Sequence, residues 1–252
     1  MMTKGLIKGI EFVEIATADL ATLDKLLRRL HFVKVGAHRS KAVHLYRQGS
    51  LNIIVNQETD AKLCLRNQAS GSQIKAFAVR VDNAPTIYAE LLSKGAWSCQ
   101  SSLGAMELNI PGIEINGGCV LYLVENNHAH FSIYDIDFTN VEPVGVPTEI
   151  FSKIASLSLN IATSHTRQWQ DFFTGLLHFT QQGDYLLSPD HSFRLKLITK
   201  QGDDIADEGI ATMTFMQASH SNSADNQCTS QSSHYVKNIP AAIGFQIEVL
   251  NK

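Results

Sequence analysis

The chain has 252 residues, 44% of them hydrophobic and 18% charged, with a formal net charge of -3 at pH 7. This composition is typical of a folded globular protein, and without a long lysine or arginine run it argues against a nucleic-acid or membrane partner. No apolar run reaches the roughly 18 residues that span a membrane, and the N-terminus lacks the features of a signal peptide. We therefore expect a cytoplasmic protein whose partner is a small molecule.

The chain begins with the pattern of a strand, a helix and three further strands. "GIEFVEIAT" predicts the first strand, and capping side chains at 17–19 precede a helix whose leucines recur at helical spacing, namely Leu20, Leu23, Leu27 and Leu30. The three later strands are predicted in "HFVKVGAH", "AVHLYRQ" and "LNIIVN". Glu11 and Glu14 lie three apart on the first strand, so we expect them on opposite faces, which argues against an acid/base pair.

The same order of elements starts again at three later points. A second copy runs from "IKAFAVRVD" through a helix between Pro85 and Gly95 to the strands "MELNI" and "CVLYLVE". A third opens with "ASLSLNIA" and continues into the helix "SHTRQWQDFFTGLLHF". A fourth opens with "GIATMTFMQ" and closes with "AAIGFQIEVLNK", but the polar segment between them predicts an abbreviated unit.

A connecting segment separates the first two copies from the last two. It reads "YDIDFTNVEPVGVPTEI", carries Pro143 and Pro147, and has few helical signals. We therefore predict two domains of two units each, an N-terminal domain over residues 1–140 and a shortened C-terminal domain over residues 150–252 that carries the candidate site.

Alternation along the third copy's first strand predicts a polar face. In "ASLSLNIA" the apolar residues Leu157, Leu159 and Ile161 point one way and small polar residues point the other. Two strands of the fourth copy alternate in the same manner, so three strands could present hydroxyl, amide and carboxylate groups to one concavity. The alternative is a wet face of an antiparallel sheet. The candidate pocket residues are Ser156, Ser158, Asn160, Thr212, Thr214, Gln246 and Glu248.

Four strand–helix–strand–strand–strand units in two pairs resemble the vicinal-oxygen-chelate superfamily, which includes glyoxalases, bleomycin-resistance proteins and extradiol dioxygenases. The stretches "EFVEIAT", "HRSKAVHLYRQG", "MELNIPGIEINGG", "LYLVE" and "SIYDIDF" are similar, in order and spacing, to the N-terminal half of the 4-hydroxyphenylpyruvate dioxygenase family. The resemblance implies an α+β fold of paired βαβββ modules, in two domains of two modules each, with the last module abbreviated.

The resemblance also locates an iron site. That family holds Fe(II) in its C-terminal half through two histidines and one glutamate. Matching the strands places Ser156 and Thr212 at the histidine positions and retains only the carboxylate, as Glu248, although a two-residue slip would put Gln246 there. We therefore expect an incomplete iron site, no metal cofactor, and binding of a small polar or aromatic acid without oxygenation.

Two alternatives remain open at this point. One is an active metal-dependent dioxygenase or lyase, with Fe(II) or another divalent metal, in which Glu248 works with a histidine from a shifted strand, such as His191, His220 or His234. The other is a structural or interaction module whose polar face is covered by a partner subunit, which is compatible with a homo-oligomer.

We expect the candidate site to lack the cover that the resembling family has. The resembling family continues past its glutamate strand into a helix over the active site, whereas this sequence ends at Lys252. We therefore expect an open cup beside Ser156, Thr212 and Glu248. The polar segment from Ser219 to Ser233 is the nearby stretch long enough to fold over it, and we expect it to be mobile.

Overall fold

Four repeated units build one mixed sheet. A computed structural model of the chain describes residues 7–58, 71–99, 108–125, 132–143, 148–200, 208–218, 233–237 and 239–251. Within these ranges fifteen strands belong to one sheet, and four α-helices accompany them. No helix in the described part of the chain is long and apolar enough to cross a membrane.

The first module follows the predicted order. Its elements are β1 (Ile7–Thr17), α1 (Leu20–Arg29), β2 (Val33–His38), β3 (Val43–Gln48) and β4 (Leu51–Asn56). Strand β1 pairs in parallel with β4, which continues into antiparallel β3 and β2. Helix α1 begins after Asp19, whose side chain accepts from the Thr22 amide, and it buries Leu23, Leu26 and Leu27 against the sheet.

The second module repeats this arrangement with one difference from the prediction. It consists of β5 (Ser72–Val81), α2 (Ala84–Ser93), β6 (Gly112–Ile115) and β7 (Cys119–Glu125), with β5 parallel to β7. The strand predicted in "MELNI" is wrong, because its described part, residues 108–110, is irregular and the strand begins only at Gly112. A short helix α3 (Ile133–Asp137) and strand β8 (Phe138–Asn140) then return to the edge of β2.

The third and fourth modules form the C-terminal half. The third contains β9 (Phe151–Ala162), α4 (Thr166–Asp171), β10 (Thr180–Gln182), β11 (Tyr185–Leu187) and β12 (Arg194–Lys200). The fourth contains β13 (Gly209–Gln217), β14 (Ser233–Tyr235) and β15 (Gln246–Leu250). Strand β9 is parallel to β12, and β13 is parallel to β15, so both units close as the first module does.

The modules pair through their first strands. Strand β1 is antiparallel to β5, and β9 is antiparallel to β13. One rung, Ile74 opposite Ile210, joins β5 to β13, and a bridge between Ser72 and Ile243 also links the two halves. The predicted α+β fold class of paired βαβββ modules is confirmed. One continuous sheet joins all four modules and therefore marks no boundary between domains. The division into domains at residues 1–140 and 150–252 stays a prediction.

Buried contacts connect the N-terminal and C-terminal halves of the chain. The fully buried Gln48 side chain accepts from the Ile150 and Phe151 amides at 3.1 and 2.8 Å. Gly117, with φ at +70°, lets the turn between β6 and β7 approach the backbone of Glu208 just before β13. These contacts hold β9 and β13, the two strands that carry most of the predicted site.

Candidate functional site

The register of three strands assembles the predicted polar face into two rungs. In the first rung Ser156 on β9 lies opposite Thr214 on β13, and Thr214 lies opposite Glu248 on β15. In the second rung Ser158 lies opposite Thr212, and Thr212 lies opposite Gln246. Because paired residues point to the same side of a sheet, these six side chains share one face.

Asn160 lies at the end of this face. It pairs with Gly209 on β13 and Ile198 on β12, so its rung carries no second polar side chain from these two strands. Its carbonyl accepts from the side-chain amide of Asn116 at 3.1 Å, which ties it to the N-terminal half. Asn160 is therefore at the margin of the predicted site.

The floor of the face is buried. The exposed fraction is 1% for Thr214, 4% for Ser156, 6% for Thr212 and 8% for Ser158. Glu248 is half-buried and its Oε2 accepts from the Thr214 hydroxyl at 3.1 Å, whereas Gln246 is exposed. The low exposure of these four floor side chains does not test whether the cup above them is open, so the open cup stays a prediction. Residues 219–232, which we expected to be mobile, lie outside the described residues, and Ser233 begins β14.

Two cations on β12 complete the face, and our sequence reasoning missed them. Arg194 lies opposite Ser156, and Lys196 lies opposite Ser158. Both lie over the ring of Tyr185 on β11, with the Arg194 guanidinium carbon 4.1 Å and the Lys196 ammonium nitrogen 5.5 Å from its centroid. The signal was the alternation in "RLKL", which is the same as in the serine strand.

Neither cation has an acidic partner among the residues that the structure describes. The ion pairs of that part of the chain lie elsewhere, and no described carboxylate oxygen approaches Arg194 or Lys196 within 4.0 Å. Glu248 is three strands away from Arg194, which is about 14 Å across a sheet. One wall of the face is therefore positive, and the far wall carries a single carboxylate.

The donor set at the matched ligand positions does not fit the iron site of the resembling family. That site needs two imidazoles and a carboxylate, whereas Ser156 and Thr212 offer neutral hydroxyls beside Glu248. Of the alternative histidines, His191 lies in an exposed turn before β12 with φ at +60°. His220 lies outside the described residues, and the backbone of His234 pairs with Val249 rather than with Glu248. Over the described ranges no group of three His, Cys, Asp or Glu residues could hold a metal.

The N-terminal half carries a cluster of buried apolar side chains on the face equivalent to the polar face. Phe12, Ile54 and Ala78 pack there against Tyr134 of α3. Tyr134 donates to Glu11 at 3.0 Å, and Asn56 donates to Glu14 at 2.8 Å. The expectation that the two glutamates point to opposite faces is wrong, because a register shift between Ile10 and Phe12 makes Glu11 an extra residue in β1.

Burial raises the pKa of the Glu14 carboxyl, and the hydrogen bond from Asn56 offsets this only in part. Burial also raises the pKa of Tyr134 well above its usual value, and the nearby Glu11 carboxylate raises it further. The apolar N-terminal face thus contrasts with the polar C-terminal face, and a binding site in the C-terminal half stays a prediction.

Comparison with known proteins agrees with this architecture. The chain superimposes on a xylose isomerase-like TIM barrel/4-hydroxyphenylpyruvate dioxygenase fusion protein with a TM-score of 0.78 and 20% identity, covering 99% of this chain and 50% of that one. It superimposes on a mutant of 4-hydroxymandelate synthase from Streptomyces coelicolor with a TM-score of 0.71 and 11% identity, covering 97% and 92% of the two chains. At these identities the likeness shows the vicinal-oxygen-chelate fold.

Sequence comparison then shows the family. The sequence model of the hydroxyphenylpyruvate dioxygenase N-terminal domain matches residues 4–139, more than half of the chain, so the chain belongs to the hydroxyphenylpyruvate dioxygenase family. A 4-hydroxyphenylpyruvate dioxygenase from Pseudomonas sp. (strain P.J. 874) is 34% identical over 75% of this chain and 57% of its own length. The chain spans about half the length of the curated relatives that it matches.

Proposed function

We propose that this chain binds a small polar or aromatic acid on the polar face of its C-terminal half and does not use iron to oxygenate it. The observation that carries the proposal is the composition of that face. Hydroxyls stand at the two positions matched to the family's histidines, and two cations without a described acidic partner stand on the neighbouring strand. Such a face can bind an anion but is a poor ligand set for Fe(II).

The acid is expected to bind towards β12. Arg194 offers a planar guanidinium that can hold a carboxylate through two hydrogen bonds, and Lys196 offers a flexible ammonium. The Glu248 carboxylate, on the far wall, repels an acid and so orients it towards the cations. Ser156, opposite Arg194 in the register, has a hydroxyl that can donate to a carboxylate oxygen.

The same rungs provide apolar surface for the rest of the ligand. Tyr185 lies opposite Lys196, and Leu187 lies opposite Arg194. An aromatic ring beside Tyr185 would gain an offset-stacked or edge contact, typically about 0.5–1.5 kcal/mol beyond area burial. This combination supports a ligand with an acidic end and an apolar or aromatic body.

The alternative of an active metal enzyme needs imidazoles next to Glu248. The exposed turn of His191 and the register of His234 opposite Val249 do not favour that arrangement. The alternative of an interaction module remains compatible with the fold, but it gives no reason for two cations without a described acidic partner on the strand next to the buried hydroxyls.

A metal titration tests the first half of the proposal. We expect the wild-type chain to retain no Fe(II) after anaerobic incubation and desalting, and the double variant Ser156→His, Thr212→His to retain close to one equivalent, because it restores two imidazoles beside Glu248. Near-stoichiometric iron with nitrogen ligands in the wild-type chain would overturn the proposal.

A binding measurement tests the second half. Phenylacetate is expected to bind the wild-type chain and to lose at least tenfold affinity in Arg194→Met. Arg167→Met is the matched control, because Arg167 is an exposed arginine on α4, with its side chain 94% accessible. Unchanged phenylacetate affinity in Arg194→Met would remove the acid site from this face.

A further inference from the structure

We infer that the ligand of the polar face is a dianion, which rests on the proposed function and defines its substrate class further. The observation is that the charged groups of Arg194 and Lys196 both lie over the ring of Tyr185. Arg194 and Lys196 lie two residues apart on β12 and therefore on the same face. Their charged groups lie 4.1 and 5.5 Å from the Tyr185 centroid.

This geometry leaves two like charges close together. Their mutual distance is at most the sum of their distances to the ring centroid, and residues two apart on a strand are only about 7 Å apart at Cα. The ring's negative face attracts each cation but carries no net charge, so it does not remove their mutual repulsion. An anion bound between the two cations would remove this repulsion.

No described carboxylate near the two cations compensates their positive charge. None lies within 4.0 Å of either group in the described part of the chain, and Glu248 is on the far wall. A monoanion would neutralise one of the two cations and leave the other uncompensated in a half-buried position. A dianion neutralises both, which is why the face favours two negative charges on one small ligand.

The floor next to the cations suits such a ligand. Ser156 and Ser158 lie directly opposite Arg194 and Lys196, and both serines are buried. Their hydroxyls can donate to anion oxygens, and they bring no additional charge. The chemistry is shared by a phosphate monoester, whose charge is compact, and by a dicarboxylate, whose two carboxylates could each meet one cation.

Three probes at constant ionic strength test the inference on the whole chain. We expect calorimetry to give at least tenfold tighter binding for inorganic phosphate or succinate than for acetate. Tighter binding of phosphate would identify the compact form of the dianion, and tighter binding of succinate the dicarboxylate form.

The variants separate this inference from the proposed function. Lys196→Met is expected to reduce dianion affinity at least tenfold, to the level of acetate, whereas Lys196→Arg keeps the preference for dianions, and the control Arg167→Met leaves it unchanged. Equal wild-type affinity for acetate and both dianions, lost in Arg194→Met, would overturn the dianion inference and keep the acid site. No loss of dianion binding in either Arg194→Met or Lys196→Met would overturn both.

Discussion

Replacing Gly117 by alanine should weaken the contact between the two halves of the chain. Gly117 lies in the turn between β6 and β7 with φ at +70°. A Cβ at this position would lie 2.5 Å from the carbonyl oxygen of Glu208, 2.6 Å from its carbonyl carbon and 2.7 Å from the amide nitrogen of Gly209. All three atoms belong to the backbone that leads into β13, so no flexible side chain can move aside.

Two effects add in this variant. A residue with a Cβ in the left-handed region costs about 1–2 kcal/mol relative to glycine. Overpacking against backbone costs a further 1–3 kcal/mol or so. The sum, roughly 2–5 kcal/mol, corresponds to a fall in Tm of about 10 °C for a chain of this size.

The matched control is Gly183→Ala. Gly183 also has a positive φ, +56°, but no atom lies within 4 Å of the position of its Cβ. This variant should therefore carry only the backbone penalty of about 1–2 kcal/mol.

Urea unfolding of both variants and the wild type, followed by circular dichroism, measures the difference. Glu208 immediately precedes β13, so a displaced Glu208 should also weaken phenylacetate binding in Gly117→Ala but not in Gly183→Ala. Equal destabilisation by the two alanines would refute the close approach of the halves at Gly117.

Three further predictions concern the faces of the sheet. Glu14→Gln keeps an acceptor for Asn56 and removes a carboxylate whose pKa burial raises. Ionisation destabilises the fold as pH rises past the unfolded value, so the variant should be the more stable chain in urea at pH 7 but not below about pH 4. Thr214→Val should cost about 1 kcal/mol by deleting the bond to Glu248, and Thr214→Ser should not, in the same assay. Phe215→Ala should lower the unfolding free energy by about 3–5 kcal/mol, because this buried ring stacks on Phe151 at 4.6 Å, and a loss below 1 kcal/mol would contradict that packing.

Local patterns were sufficient for most of the elements and for the alternation of polar residues along β9. Alternation along β9 predicted that Ser156 and Ser158 share a face, and the register confirms it. The pleat of a strand turns successive side chains to opposite sides, so this property is contained in the spacing of residues. The same holds for α1, where Asp19 and the spaced leucines predicted both the start and the buried side of the helix.

Irregularities were not predictable in this way. Strict alternation along β1 predicted Glu11 and Glu14 on opposite faces. One extra residue in β1, relative to its partner β5, instead brings both side chains to the same face. A β-bulge exists only in relation to the partner strand, so a single strand's sequence carries no sign of it.

The sequence by itself determined the fold class and which residues alternate together, whereas only the tertiary structure decided which strands lie side by side. The cations of "RLKL" alternate as clearly as the serines, yet their place beside Ser156 and Ser158 depends on the parallel pairing of β9 and β12. An apolar rung between the two polar rungs holds that register: Leu195, Leu157, Met213 and Ile247 pair across four strands, each with 0% exposure. A slip of one residue would expose this core rung to water, so hydrophobic burial on the opposite face fixes the polar site.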